Sequence, residues 1–236
     1  MPTAVITGGA GGIGSSCVEL LCSEGWTVHC WDIADSSRAD GAVRAQHVDV
    51  SDPSSVFAAA ATVPQVDLLV NAAGVSDRCF VAEMSPERWL RVVNTNLNGT
   101  FYSCRALHQG LAKSGRALVV NIASITAHHT AAKRAAYCTS KAAVVTLTRV
   151  LATEWAKDGI RVLAISPGYV RTPLVEGNLA KGNLNLDRIL HRTPQGRLAD
   201  PMEVARLVLA LTDTTFNYMT GSTLLFDGGW SANSDY

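Results

Sequence analysis

The chain lacks a surplus of either charge: lysine plus arginine number 20 and aspartate plus glutamate number 20. Balanced charge leaves no electrostatic footprint for nucleic acid or an anionic membrane, so neither is an expected partner. Long apolar runs are also missing. The run ALVVNIASI (117–125) is too short to span a bilayer. A strand-like stretch begins at residue 3, which leaves no room for a signal or transit peptide. The six cysteines show no metal-ligand spacing, so no metal is expected. They read as free thiols of a reducing compartment, and the expected location is cytoplasmic. No linker, repeat or low-complexity tract interrupts residues 1–236, which predicts a single domain. What remains is a chain of 47% hydrophobic and 17% charged residues, long enough to bury a sizeable core.

Apolar runs alternate with longer helical patterns. Strands are predicted at 3–7, 27–32, 45–48, 66–70, 117–122, 161–165 and 223–226, and helices at 12–24, 53–62, 86–113, 136–157 and 201–212. The runs LLV, ALVVNI and RVLAI are continuously apolar, as in a parallel sheet covered on both faces. Asp52-Pro53, Ser85-Pro86 and Asp200-Pro201 each set a capping side chain before a proline at the first helical position. The expected fold class is α/β: a doubly wound, seven-stranded parallel sheet flanked by helices, Rossmann-like. Segment 33–44, IADSSRADGAVR, has room for one helical turn at most. Segment 173–199 is rich in Asn, Gly and charge, and is expected to be a mobile excursion over a site.

VITGGAGGIG places glycines directly between the first strand and the first helix. It reads as G-x-G-x-x-G from Gly9, Gly11 and Gly14, or as spaced glycines Gly8, Gly12 and Gly14 around Ile13. Either way, residues without Cβ let backbone N–H groups approach a pyrophosphate at a helix N-terminus. Asp32 ends the second strand, 18 residues past Gly14. Its carboxylate can accept from adenosine ribose hydroxyls and repel a 2′-phosphate. No Arg or Lys lies in the glycine loop, so NAD is predicted over NADP, with Arg38 as the basic residue able to reverse that choice. The bland alternative for Asp32 is a strand-end turn residue.

In AAYCTSKAA (135–143), Tyr137 and Lys141 share one helix face, with Cβ atoms about 5–6 Å apart. A cation beside a phenol favours the phenolate. Lowering its pKa by ~3 units takes about 4 kcal/mol of differential stabilisation. The spacing alone fits equally a half-buried tyrosine and a snorkelling lysine. Ser124 ends the fifth strand, where carboxyl ends face the ligand crevice, or it is a turn serine. Asn96 sits inside a predicted helix, where it either bends the helix and holds water or lies on the surface.

Taken together, TGGAGGIG (7–14), Asp49-Val50, NAAG (71–74), Asn96, Ser124, YCTSK (137–141) and PGYVRT (167–172) resemble the short-chain dehydrogenase/reductase family over essentially the full chain. The thirteen-residue step from Ser124 to Tyr137 is also that family's. The resemblance implies Tyr137 as the acid–base residue, and Lys141 as binder of the nicotinamide ribose that lowers the tyrosine pKa. Ser124 would hold the substrate oxygen and Asn96 a proton-relay water. Gly8, Gly12, Ile13 and Gly14 would form the cofactor loop, and Asp49 and Val50 would meet the adenine. Asn71, Ala72, Ala73 and Gly74 would steady the sheet and flank the adenosine ribose. Pro167, Gly168, Val170 and Thr172 would surround the nicotinamide. For Asp49 the alternative is a turn residue before the helix at Pro53.

The implied activity is NAD-dependent interconversion of a secondary alcohol and its ketone, the small-molecule substrate being a cyclic alcohol, dihydrodiol, polyol or hydroxy acid. Rivals are an NADPH-dependent 3-oxoacyl thioester reductase and a non-enzymatic nucleotide sensor on the same fold. An epimerase or dehydratase of the larger relatives would need an added C-terminal region. AAVVTLTRVLATEWA (142–156) is apolar on more than one face, which predicts a helix-to-helix subunit interface, and the resemblance implies a homotetramer. His128 and His129 either face the substrate or lie exposed in a loop. Lys181, Arg188, His191 and Arg192 greet an anionic substrate or are solvated, and Trp230 shapes the pocket or packs in the core.

Overall fold

The computed structural model describes residues 1–34 and 42–233. Arg38 and most of the 33–44 connection lie outside the described residues. Seven strands form one parallel sheet: β1 (Thr3–Thr7), β2 (Thr27–Asp32), β3 (Val43–His47), β4 (Leu68–Asn71), β5 (Leu118–Ile122), β6 (Arg161–Pro167) and β7 (Thr223–Phe226). Their order is β3-β2-β1-β4-β5-β6-β7. After β3 the chain returns to the far side of β1, so the direction of winding reverses between β1 and β4. Loops at the carboxyl ends of those two strands therefore diverge and leave a crevice.

Alternate residues of each strand feed opposite faces. Ala4, Ile6, Leu68, Val70, Val120 and Leu163 pack beneath α1 (Gly12–Ser23) and α8 (Pro201–Ala210) through Val18, Leu21, Val204 and Val208. Val5, Leu69, Val119 and Val162 pack on the other face against α2 (Pro53–Ala60), α4 (Gly99–Ser114) and α5 (Ala135–Trp155), meeting Val56, Leu107, Leu111 and Leu151. Two buried faces explain why β4, β5 and β6 at the centre read as unbroken apolar runs.

The three expected caps form: Asp52 accepts from Ser54 N at 2.9 Å, Ser85 from Arg88 N at 3.4 Å and Asp200 from Met202 N at 2.7 Å. The long helix predicted over 86–113 is interrupted. α3 (Pro86–Val93) passes into a π-helical turn, Asn94–Asn98, before α4 begins. The extra residue in that turn rotates Asn96 inward, where it is 0% exposed. Segment 173–199 is not irregular. It carries α6 (Pro173–Ala180) and α7 (Leu186–Arg192), capped by the side chains of Thr172 and Asn185. Thr172-Pro173 repeats the cap-then-proline device seen at three other helices, so this start is legible in the sequence despite the polar composition around it.

A buried polar chain ties the two central strands to α5. Asn71 Nδ2 donates to Asn121 Oδ1 at 2.8 Å, Asn121 Nδ2 to Thr148 Oγ1 at 2.9 Å, and Thr148 Oγ1 to the Val144 carbonyl at 2.8 Å. Removing the middle member strands buried groups on both sides. Asn121→Ala is expected to lower unfolding stability by about 2–4 kcal/mol in urea titrations; a loss under about 0.5 kcal/mol, as at an ordinary surface position, would show that the network is not structural.

Candidate active site

At the carboxyl ends of β1 and β4 lies a cleft of about 370 Å³. Its floor is the glycine loop. Gly8 has φ +68°, and a Cβ there would come within 2.7 Å of Ala73 backbone atoms. Gly12 has φ +54° and faces Thr172 across the cleft, where an added Cβ would meet Thr172 Cγ2 at 3.3 Å. Gly14 does not line the cleft. It is buried beneath, where a Cβ would stand 2.1 Å from the Gly8 carbonyl oxygen, so it permits the tight turn without touching a ligand. Ile13 lines the wall beside it.

Asp32, at the tip of β2, also lines the cleft. Oδ2 accepts from Ala10 N at 3.0 Å and Oδ1 from Ala34 N at 2.9 Å. Its carboxylate thus braces the glycine loop as well as its own turn. Asp49 is a turn residue as well: Oδ1 accepts from Ser51 N at 2.8 Å while the residue borders the cleft beside Val50. Ala72, Ala73 and Gly74 form the opposite rim. Asn71 does not reach it, being committed to the sheet-internal chain above.

Three elements bring the reactive side chains together. Ser124 follows β5, and Tyr137 and Lys141 lie one turn apart on α5; all three line the cleft. Ser124 Oγ accepts from Thr126 N at 3.1 Å and Thr126 Oγ1 at 3.0 Å. Lys141 is buried, and its ammonium donates to the Ile122 carbonyl at 2.7 Å. Burial lowers its pKa to about 8. Burial pushes the Tyr137 phenol above its ordinary value, and the Arg134 charge and the Ser124 hydroxyl oppose this only in part. The Lys141 ammonium lies 6.0 Å from the ring centroid and is engaged by Ile122. Within the protein alone, desolvation thus outweighs the charges around the phenol.

Asn96 does not border the cleft. Its Oδ1 accepts from Val75 N at 2.8 Å, and its Nδ2 donates to the Val75 carbonyl at 3.0 Å and Ser140 Oγ at 3.1 Å. The side chain thus clamps the loop after β4 to α5. Pro167, Gly168, Val170 and Thr172 line the far end. His128 is tied to Ser166 Oγ at 3.0 Å, and Trp230 meets His129 edge-to-face and carries the Arg192 guanidinium over its ring; none of the four borders the cleft. Sequence reasoning missed Trp31, Val75, Thr95, Leu174 and Val175 as lining residues. Leu174 and Val175 follow Thr172 in the first turn of α6, and recognising that helix start would have found them.

A family model described as enoyl-(acyl carrier protein) reductase matches residues 8–231. An uncharacterized short-chain type dehydrogenase/reductase of Sinorhizobium fredii is 38% identical over 237 residues, covering 96% of this chain and 43% of its own length. This chain thus spans less than half of that relative. A D-threitol dehydrogenase of Mycolicibacterium smegmatis is 34% identical over 241 residues, covering 97% of this chain and 92% of its own. Among solved structures, 4-hydroxyisoleucine dehydrogenase complexed with NADH has a TM-score of 0.92 and 27% identity, covering 98% of this chain and 99% of its own. ElxO with NADP bound gives 0.90 and 26%, with the same coverage. The chain belongs to the short-chain dehydrogenase/reductase family.

The depressed Lys141 pKa has a sign. Between the folded value of about 8 and the ordinary 10.5, the unfolded chain holds more protons, so this group's contribution to stability rises with pH across that window. Lys141→Met removes the titration. The stability advantage of the methionine variant over the parent is expected to shrink by about 3 kcal/mol between pH 7 and 10.5, read by urea unfolding. A difference that does not change with pH would mean that Lys141 is not held as described.

Proposed function

We propose that this chain is an NAD-dependent oxidoreductase that interconverts a secondary alcohol and its ketone. The observation that carries this is the convergence of Ser124, Tyr137 and Lys141 in the same cleft as Gly8, Gly12 and Asp32. The cleft fits a dinucleotide. Gly8 and Gly12 form a cradle that any side chain would fill, and α1 presents its N-terminus there. Asp32 supports NAD because a ribose 2′-phosphate would meet its carboxylate. When bound, the dinucleotide would supply the hydride acceptor and, oxidised, a positive charge.

The chain's own residues do the rest. Ser124 holds the substrate oxygen, and Tyr137 takes the hydroxyl proton in oxidation or gives it back in reduction. Lys141 is predominantly an ammonium at pH 7, given its pKa of about 8, and orients the nicotinamide ribose. The phenol's raised pKa favours the proton-donating form, suited to ketone reduction; oxidation draws on the added charge of the oxidised ring. Asn96 positions the rim through Val75.

The likeness to an acetoacetyl-CoA reductase of Rhizobium meliloti, 35% identical over 235 residues, supports one rival, an NADPH-dependent reductase of 3-oxoacyl thioesters. A nucleotide sensor would have no use for the retained Tyr137. We also infer a single domain, a cytoplasmic location and a homotetramer. None of the six cysteines is in a disulfide, no described helix is long and apolar enough to cross a membrane, and Phe101 on α4 and Val150 on α5 are both 45% exposed beside the apolar faces of those helices.

Tyr137→Phe is expected to keep NADH binding, read by fluorescence titration, and to lose at least about 10²-fold in turnover. Parent-like turnover would remove Tyr137 from the chemistry. Asp32→Asn retains an acceptor for Ala10 N but drops the charge. The preference for NAD over NADP, measured as a ratio of kcat/KM, should fall about tenfold or more, the equivalent of ~1.4 kcal/mol; an unchanged ratio would place the discrimination elsewhere.

A further inference from the structure

Arg134 immediately precedes α5, three residues before Tyr137. Its guanidinium carbon lies 4.8 Å from the centre of the Tyr137 ring. The loop after β4 docks onto it. Cys79 and Arg134 form an isolated parallel bridge, Cys79 N donates to the Lys133 carbonyl at 3.0 Å, and an Arg134 terminal nitrogen donates to Ser76 Oγ at 3.3 Å. That docking carries Arg78, the neighbour of Cys79, to the same corner. Tyr169 completes it: Arg134 and Tyr169 both act electrostatically on Tyr137, and both act on Arg78.

Two guanidiniums share this corner. Among the described residues neither Arg78 nor Arg134 has an acidic partner. The acid nearest in sequence, Asp77, is held by Arg88 and, at 3.0 Å, by Arg91. Arg134 Nε is buried and has no hydrogen-bond partner. Arg78 responds to the crowding: burial and the Arg134 charge lower its pKa. A half-buried pair of like charges with an idle donor is unfavourable unless an anion joins it. The N-terminus of α5 adds a further partial positive charge.

We propose that Arg134 and Arg78 form a carboxylate-binding subsite beside Tyr137, so that the substrate is a hydroxy acid and its oxo acid. A planar carboxylate matches the guanidinium fork, and a neutral polyol would leave both charges unanswered. This rests on the oxidoreductase function proposed above and narrows its substrate class. It also assigns the anion-greeting role to a different element from the basic residues of 173–199.

The test is calorimetric titration of NADH-saturated protein with cyclohexanecarboxylate and, separately, with cyclohexanecarboxamide, which has nearly the same shape without the charge. The parent protein should bind the carboxylate at least tenfold more tightly than the amide. Arg134→Gln should erase most of that preference. Arg78→Gln should do the same without touching the Ser76 contact, which keeps the test sound if the first variant misfolds. Equal affinities in the parent, undetectable binding of both compounds, or an intact preference in both variants would overturn the subsite while leaving the oxidoreductase function standing. Failure of NADH itself to bind the parent would remove both.

Discussion

A Cβ on Gly8 would stand 2.7 Å from the Ala73 backbone, closer than side-chain atoms approach main chain in real proteins. That contact joins the glycine loop after β1 to the rim after β4 at the point where the sheet changes its direction of winding. Everything in the cleft is referenced to it. The glycine loop sets where α1 begins, the rim sets where Val75 lies, and Val75 is the residue that Asn96 grips through both its N–H and its carbonyl. Asn96 in turn bonds Ser140, next to Lys141 on α5. The main-chain approach at Gly8 is thus connected by direct contacts to the reactive face of α5.

Desolvation is the second theme of the site, and it acts against each titratable group in turn. It lowers Lys141 toward neutrality and raises Tyr137 away from the phenolate. Both shifts favour uncharged forms, as burial must. The pair is therefore not a self-contained ion pair. The Lys141 ammonium is directed to the Ile122 carbonyl, and the cation whose field reaches the phenol most strongly is Arg134. A phenol held protonated next to an arginine that lacks an anion suits a site completed by its ligands.

The family relationship accounts for the shared frame but not for this corner. Relatives with the same fold carry either NADH or NADP and are named for different alcohols. Under the function proposed here, specificity resides in residues outside the common motifs, such as Asp32 at the tip of β2 and Arg134 ahead of α5. Both sit on the termini of rigid elements, where a substitution changes the chemistry offered to a ligand without disturbing the sheet.

The sequence alone determined the sheet, its parallel sense and most of its helices. Period, continuous apolar runs and cap-proline pairs are local properties, and they survive being read one segment at a time. It also marked Ser124, Tyr137 and Lys141, because their spacing is written along the chain. Only the tertiary structure decided what depends on partners distant in sequence. Asn96 became a clamp because a π-turn aims it at Val75, 21 residues away. The Tyr137 phenol is pushed up because burial is a property of the whole packed site. Cys79 and Arg134 met, and Arg78 came within reach of the Arg134 charge, because a loop bridge brings together two segments that no periodicity relates.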